Sequence, residues 1–259
     1  MSQNANTSKK NKPEPSIQSI DRAINILHCF EKKPKLTLAE ICGAVNLHKS
    51  TVYGILTTLK NNGFLQKDPE TGIYSLGLGL FKLASNVNMD LRRISLPYLQ
   101  ELCNSTTETV NLVVPDGTCI IYVEKCESSL SMHVSTNIGT QLPMYCTAVG
   151  KAILAFMDTV QASAVLDQSQ LVQKTEYTII SKDKLMDSFP EIRRRGYALD
   201  LEELEYGLVC IAAPIVNSIG QPIAAVSCSG PSRRINSETI PVLGERVMRC
   251  ALRISEMIP

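Results

Sequence analysis

Apolar positions recur at helical spacing near the start of the chain. Ala23, Ile24, Ile26, Leu27 and Phe30 predict a helix opening near Ser19-Ile20-Asp21. It ends at Lys32-Lys33-Pro34, because the residue before a proline is driven out of the α region. A second helix opens at Thr37, where Thr37 and Glu40 have capping-box spacing. Leu38, Ile41 and Val45 form its buried stripe, and Asn46 suits the turn that follows. A third helix is expected over 48–62, with Val52, Ile55, Leu56 and Leu59 on one face and Gly63 as its stop. Phe64-Leu65 and 73–76 then read as two short strands joined by a polar loop containing proline and glycine, a β-hairpin.

A helical stretch over 78–87 reads as a connector, with Leu80, Leu83 and Val87 as a candidate face for pairing between subunits. Beyond it helix and strand alternate. Residues 96–103 look helical, and 110–114 and 119–123 flank the turn tripeptide Pro115-Asp116-Gly117. An apolar helix covers 149–157. Two β-rich runs, 208–216 and 222–229, flank Asn217-Ser218-Ile219-Gly220, and a last helix spans 240–257. The fold class is therefore α/β in the broad sense, an α+β domain on an antiparallel sheet preceded by a small helical domain. The expected division is a flexible tail at 1–15, a first domain at 16–77, a linker helix at 78–93 and a second domain at 94–259.

Composition narrows the function. At 259 residues, two domains are expected, and 44% hydrophobic with 20% charged residues is ordinary globular composition. Net charge is only +1, but residues 1–82 hold 11 basic and 6 acidic side chains, so the basic excess sits at the N-terminus and points to an anionic partner. No apolar run reaches the roughly 18 residues of a membrane helix, and the first residues lack the apolar core of a signal peptide. A cytoplasmic protein with no membrane partner is expected. Its nine cysteines form no CxxC pair, which disfavours a tight zinc or redox site.

Three short helices and a hairpin are the element order of a winged helix-turn-helix. The face of the third helix opposite its apolar stripe carries Lys49, Ser50, Thr51, Tyr53 and Thr57, which are donors without an acid among them. Such a face suits a groove walled by phosphates and edged by bases. Thr37, His48 and the hairpin residue Lys67 complete the candidate DNA-binding set. A solvated surface helix has the same periodicity.

Several segments together resemble the IclR family of bacterial transcription regulators. In the first half they are SIDRAINIL at 19–27, LTLAEI at 36–41, LHKSTVY at 47–53, 59–65 and YSLG at 74–77. In the second half they are GTQLPM at 139–144, AVGKAILA at 148–155, RGYALDLEE at 195–203, GLVCIAAP at 207–214 and AAVSCSGP at 224–231. The resemblance runs in order over about 16–258. It implies a ligand-responsive regulator, a repressor of a catabolic operon, binding double-stranded operator DNA as a homodimer or dimer of dimers. It also implies a GAF-like effector domain for a small organic acid, with no cofactor, no metal and no catalysis. One departure is Gly54, where the family often has an arginine.

The resemblance assigns the effector site to Leu142, Ala148, Val149, Asp200, Leu208, Cys210, Ser227 and Ser229. The residues lend independent support. A helix opening at Ala148-Val149-Gly150-Lys151 offers free amides to a carboxylate, and Ser227 and Ser229, two apart on a strand, face the same way. The bland alternatives are solvent-facing serines, a solvated acidic patch from Asp200 through Glu202, Glu203 and Glu205, and a core thiol at Cys210. Two other functions are open to this sequence. Of the three histidines, His28 falls in the first helix's apolar stretch and His48 at the start of the third helix, so an enzyme would draw on His133 with Cys119, Cys126 or Cys146. A thiol or zinc switch would need Cys119, Cys126, His133 and Cys146 to approach one another.

Overall fold

The structure is a computed structural model that describes residues 16–84 and 89–258, divided into two compact units between Asn88 and Met89. The expected tail at 1–15 and Val87 of the connector face lie outside the described residues.

The first unit contains α1 (Gln18–Lys32), α2 (Leu38–Val45), α3 (Lys49–Asn61), β1 (Leu65–Lys67), β2 (Tyr74–Leu76) and α4 (Leu78–Ala84). The capping box forms as the spacing requires. The Glu40 amide donates to Thr37 Oγ1 at 3.3 Å, and the Thr37 amide donates to Glu40 Oε2 at 2.7 Å. Asn46 takes the left-handed conformation, φ 50°, that ends α2. Ile26, Phe30, Ile41, Val52, Leu56 and Leu59 close one core with Leu36, Leu65 and Tyr74. Two expectations shift. Ile20 and Ile24 of α1 are exposed, and Gln66 and Lys67 pair in the hairpin rather than lying in its loop. Leu36 also bridges Tyr74, adding a short third edge to the wing. Gly77 and Gly79 let the chain turn closely over Gly63 and Phe64, where a Cβ would overlap the Gly63 carbonyl.

The second unit contains α5 (Met89–Thr106), β3 (Thr109–Asp116), β4 (Cys119–Cys126), β5 (Gln141–Pro143), α6 (Ala148–Phe156), α7 (Thr159–Gln168), α8 (Lys182–Arg195), β6 (Ala198–Leu201), β7 (Leu208–Val216), β8 (Pro222–Pro231) and α9 (Ile240–Ser255). Six antiparallel strands form one sheet in the order β5-β4-β3-β8-β7-β6. Strand alternation sends residues to two cores. Val209, Ile211, Ala213, Val226 and Cys228 join α5 and α9 on one face, while Ala212 and Ala225 join α6 and α8 on the other. The helix expected over 96–103 extends over the whole of α5, with Pro97 in its interior.

Candidate functional site

The polar face of α3 is presented as its pattern requires. Val52, Leu56 and Leu59 are buried, while Lys49, Ser50, Tyr53 and Thr57 are exposed and Thr51 is half-buried. His48 occupies the N-cap without a side-chain cap bond. Two candidates have less freedom than their chemistry suggests. Thr57 Oγ1 donates to the Tyr53 carbonyl at 2.8 Å, so it meets a partner chiefly as an acceptor. The Thr37 hydroxyl is committed to Glu40, receiving its amide and donating to Oε2 at 2.8 Å. Lys67 is exposed on β1, its Nζ 5.3 Å from the centre of the Tyr74 ring.

Gly54 lies on the exposed side of α3, and a Cβ there would meet nothing within 4 Å. No packing demands a glycine at this place. Gly54→Ala is therefore expected to stabilise the first unit by about 1 kcal/mol through helix propensity, as measured by denaturant unfolding. A loss of stability instead would mean that α3 departs from regular helix at this point.

In the second unit all eight candidates, Leu142, Ala148, Val149, Asp200, Leu208, Cys210, Ser227 and Ser229, line a single cavity of about 410 Å³. Register explains the convergence. Asp200 pairs with Cys210, Cys210 with Ser229 and Ser229 with Thr109, which makes one row across β6, β7, β8 and β3. Ser227 stands opposite Ala212 one pleat away. Both serines are buried, at 2% and 4% exposure, so the solvent-facing reading fails. Ala148 and Val149 open α6. The helix start is less open than its sequence suggests, because the Thr147 hydroxyl caps it by accepting from the Gly150 amide at 3.2 Å. The amides of Ala148 and Val149 have no acceptor among the described residues. Gly150 is required by close packing, since a Cβ would overlap the Met144 carbonyl.

The acidic patch is the main correction. Asp200 is 1% exposed and Glu203 6%, so neither belongs to a solvated face. Glu203 Oε1 pairs with Lys151 Nζ, itself buried, linking α6 to the loop after β6. Asp200 Oδ1 accepts the amides of Glu203, at 2.8 Å, and Leu204, at 3.4 Å, while Oδ2 has no partner among the described residues. Burial raises the Asp200 carboxyl to about 6, against the pull of Lys151. The sign is definite. The folded state holds this proton more tightly than the unfolded chain, so stability is lost as pH rises from the ordinary value of 3.8 through about 6, and the loss is complete above that.

Residues missed by sequence reasoning complete the wall. They are Tyr122 from β4, Thr140, Thr147, Leu204 and Glu205, and the strap residues Val134, Ser135, Thr136 and Asn137. The strap is tied down by Thr109 Oγ1 donating to the Val134 carbonyl at 2.9 Å and Thr136 Oγ1 donating to Asn111 Oδ1 at 2.7 Å. Ser135 and Thr136 lie in no periodic pattern by which to find them.

Among the described residues no group of three or more His, Cys, Asp or Glu side chains could hold a metal ion. Cys119 and Cys126 sit at opposite ends of β4, roughly 23 Å apart at strand rise. Cys146 belongs to the other core from Cys126. Burial raises the thiols of Cys126 and Cys146 to about 11, the reverse of what a nucleophile needs. His133 Nδ1 lies 2.8 Å from the Leu130 carbonyl, and His28, expected within the apolar stretch of α1, is exposed beside Glu31.

Among the described residues no helix is long and apolar enough to cross a membrane. Two family models match this chain, the IclR helix-turn-helix domain over residues 19–69 and the bacterial transcriptional regulator IclR C-terminal domain over 83–256. The HTH-type transcriptional regulator XynR of Escherichia coli (strain K12) is 34% identical, over 94% of this chain and 98% of its own length. The transcriptional repressor IclR of the same organism is 31% identical, over 92% of this chain and 89% of its own. The crystal structure of Thermotoga maritima IclR superposes with a TM-score of 0.78 at 31% identity, covering 93% of this chain and 98% of that one. With a donor face on one unit, a walled cavity on the other and both family models matched, the chain belongs to the IclR family of bacterial helix-turn-helix transcriptional regulators.

Proposed function

We propose that this chain is an effector-controlled repressor of a catabolic operon, acting in the cytoplasm as a homodimer or dimer of dimers. The observation that carries the reading is the cavity of about 410 Å³ in the second unit, walled by the start of α6, Asp200 and the two buried strand serines. A relative named as a transcriptional repressor supports the sign of the response. On the first unit, Lys49, Ser50, Thr51, Tyr53 and Thr57 on α3, with His48 before it, meet the operator. Lys67 of the wing meets flanking phosphate, and Thr37 contributes by fixing the start of α2. One winged unit reads few base pairs, so paired half-sites supply useful specificity.

The effector acts by population shift. It binds one arrangement of the protein better and biases the spacing of paired recognition helices, and a coupling of about 1–3 kcal/mol switches occupancy several-fold or more. A Ser229→Ala variant tests the cavity assignment. It is expected to keep its fold and operator affinity while needing several-fold more effector to release the operator. An unchanged response in a fluorescence-anisotropy titration would remove Ser229 from the site.

A further inference from the structure

We propose that residues 129–138 form a door over the cavity of the second unit and that Arg234, which does not line that cavity, is its latch. The door's role in effector exchange rests on the cavity being the effector site. Its motion does not.

A wall has to move before a ligand can settle. The cavity floor is nearly sealed, with Ala148, Val149, Asp200, Ser227 and Ser229 between 1% and 4% exposed. A solute larger than water reaches that floor only when something above it gives way. Two loops border the cavity, the strap with Val134 to Asn137 and the loop after β6 with Leu204 and Glu205.

The loop after β6 is held from inside. Glu203 pairs with the buried Lys151, and the amides of Glu203 and Leu204 donate to Asp200. Thr175 and Thr178 donate to the carbonyls of Glu202 and Glu203, each at 2.6 Å. The strap has nothing comparable. None of its described residues joins either core of the second unit, and Met132 and Ile138 hold their side chains in water. Its ends are pinned, by Ser128 Oγ donating to the Thr107 carbonyl and by the Gly139 amide donating to the Tyr122 carbonyl at 2.8 Å. Between those pins, three side-chain bonds tie it to the rest of the unit among the described residues. Arg234 Nη2 donates to the Met132 carbonyl at 2.9 Å, Thr109 Oγ1 to the Val134 carbonyl at 2.9 Å and Thr136 Oγ1 to Asn111 Oδ1 at 2.7 Å. A segment with few buried apolar contacts opens more readily than the fold around it.

Arg234 is the strongest of the three ties. Its donor is charged, and charge-assisted bonds are roughly twice as strong as neutral ones. It is also aimed. Nε and Nη2 donate to the two oxygens of the buried Glu108 at 2.6 and 2.8 Å. That carboxylate lies against Gly230, where a Cβ would come within 2.5 Å of Oε2. The fork on Glu108 fixes the plane of the guanidinium, and the same Nη2 reaches across to the strap.

The cavity carries its own reporter. Cys210 lines it and is half-buried, while Cys228 is fully buried in the core on the other face of the sheet. Ligand-free full-length protein is labelled with N-ethylmaleimide, and peptide mass spectrometry gives the rate at each cysteine. Burial pushes both thiols up, so all rates are taken at one pH. Arg234→Lys keeps a cation beside Glu108 but loses the fork that spans Glu108 and Met132. In this variant Cys210 is expected to label about tenfold faster or more than in the wild type, with Cys228 unchanged. Thr109→Val, also outside the cavity, removes the bond to Val134 and is expected to speed Cys210 several-fold.

An unchanged Cys210 rate in Arg234→Lys would overturn the proposal. So would Cys228 speeding up in step with Cys210, because the whole unit would then be unfolding. If Arg234→Lys does not fold, Thr109→Val decides by the same two readings. The labelling needs no effector. If it behaves as expected while no metabolite moves operator affinity, the door stands and the effector reading falls.

Discussion

Replacing Lys151 by methionine is expected to destabilise the effector unit by about 3–5 kcal/mol, the usual cost of stranding one partner of a buried ion pair. Lys151 is 4% exposed, and its ammonium is the cation beside both Glu203 and Asp200. Methionine keeps most of the volume and removes the charge. Glu203 already has one oxygen without a partner, and the variant would leave its whole carboxylate in that state. Denaturant unfolding followed by circular dichroism measures the loss. The double variant Lys151→Met with Glu203→Gln is expected to recover much of it, because the stranded charge is gone. A single-variant loss below about 1 kcal/mol would mean that water reaches Glu203 and that the pair does not hold the loop after β6 against α6.

The second large effect concerns DNA. Lys49→Ala combined with Tyr53→Ala is expected to weaken operator binding at least about thirtyfold, taking about 1 kcal/mol or more for each lost contact. The slope of log affinity against log salt is expected to fall by about one for the lost phosphate contact of each lysine. Both side chains are exposed on α3, Tyr53 at 54%, so the fold is expected to survive. Fluorescence anisotropy on operator DNA reads the loss, and calorimetry reads effector binding, which is expected to stay put. A matching loss of effector affinity would contradict the assignment of the two jobs to separate units.

How much of this was legible depended on how local each signal was. The three helices of the first unit were readable because their apolar stripes and the Thr37–Glu40 box are spelled within a few residues. The hairpins at Gly117 and at 217–220 were equally local, set by turn residues between β-rich runs. By contrast α8 was missed, and its interior Pro190 argues against a helix for any reader of the sequence. It forms because Leu185, Phe189 and Ile192 bury against α6, so packing outweighs the lost backbone bond. The short edge strands β5 and β6 likewise exist only through their neighbours.

The candidate site divides in the same way. The eight effector candidates came from family-like motifs scattered over residues 142–229, and nothing in their spacing brings them to one place. Sheet register does that, by aligning Asp200, Cys210 and Ser229 in a row. The strap residues 134–137 carried no motif and entered the wall only through long-range bonds to β3.

Taken alone, the sequence settled the helical DNA-reading unit, the strand pairs around its turns and the family, since each is written in short-range periodicity or contiguous motifs. The tertiary structure decided which polar groups lose their water. Asp200, Glu203, Lys151, Ser227 and Ser229 look like ordinary surface residues in one dimension. They become a buried charged cluster and a cavity wall only when β6, β7, β8 and α6 close over them. Desolvation depends on every neighbour in space, and a linear pattern records only the neighbours in the chain.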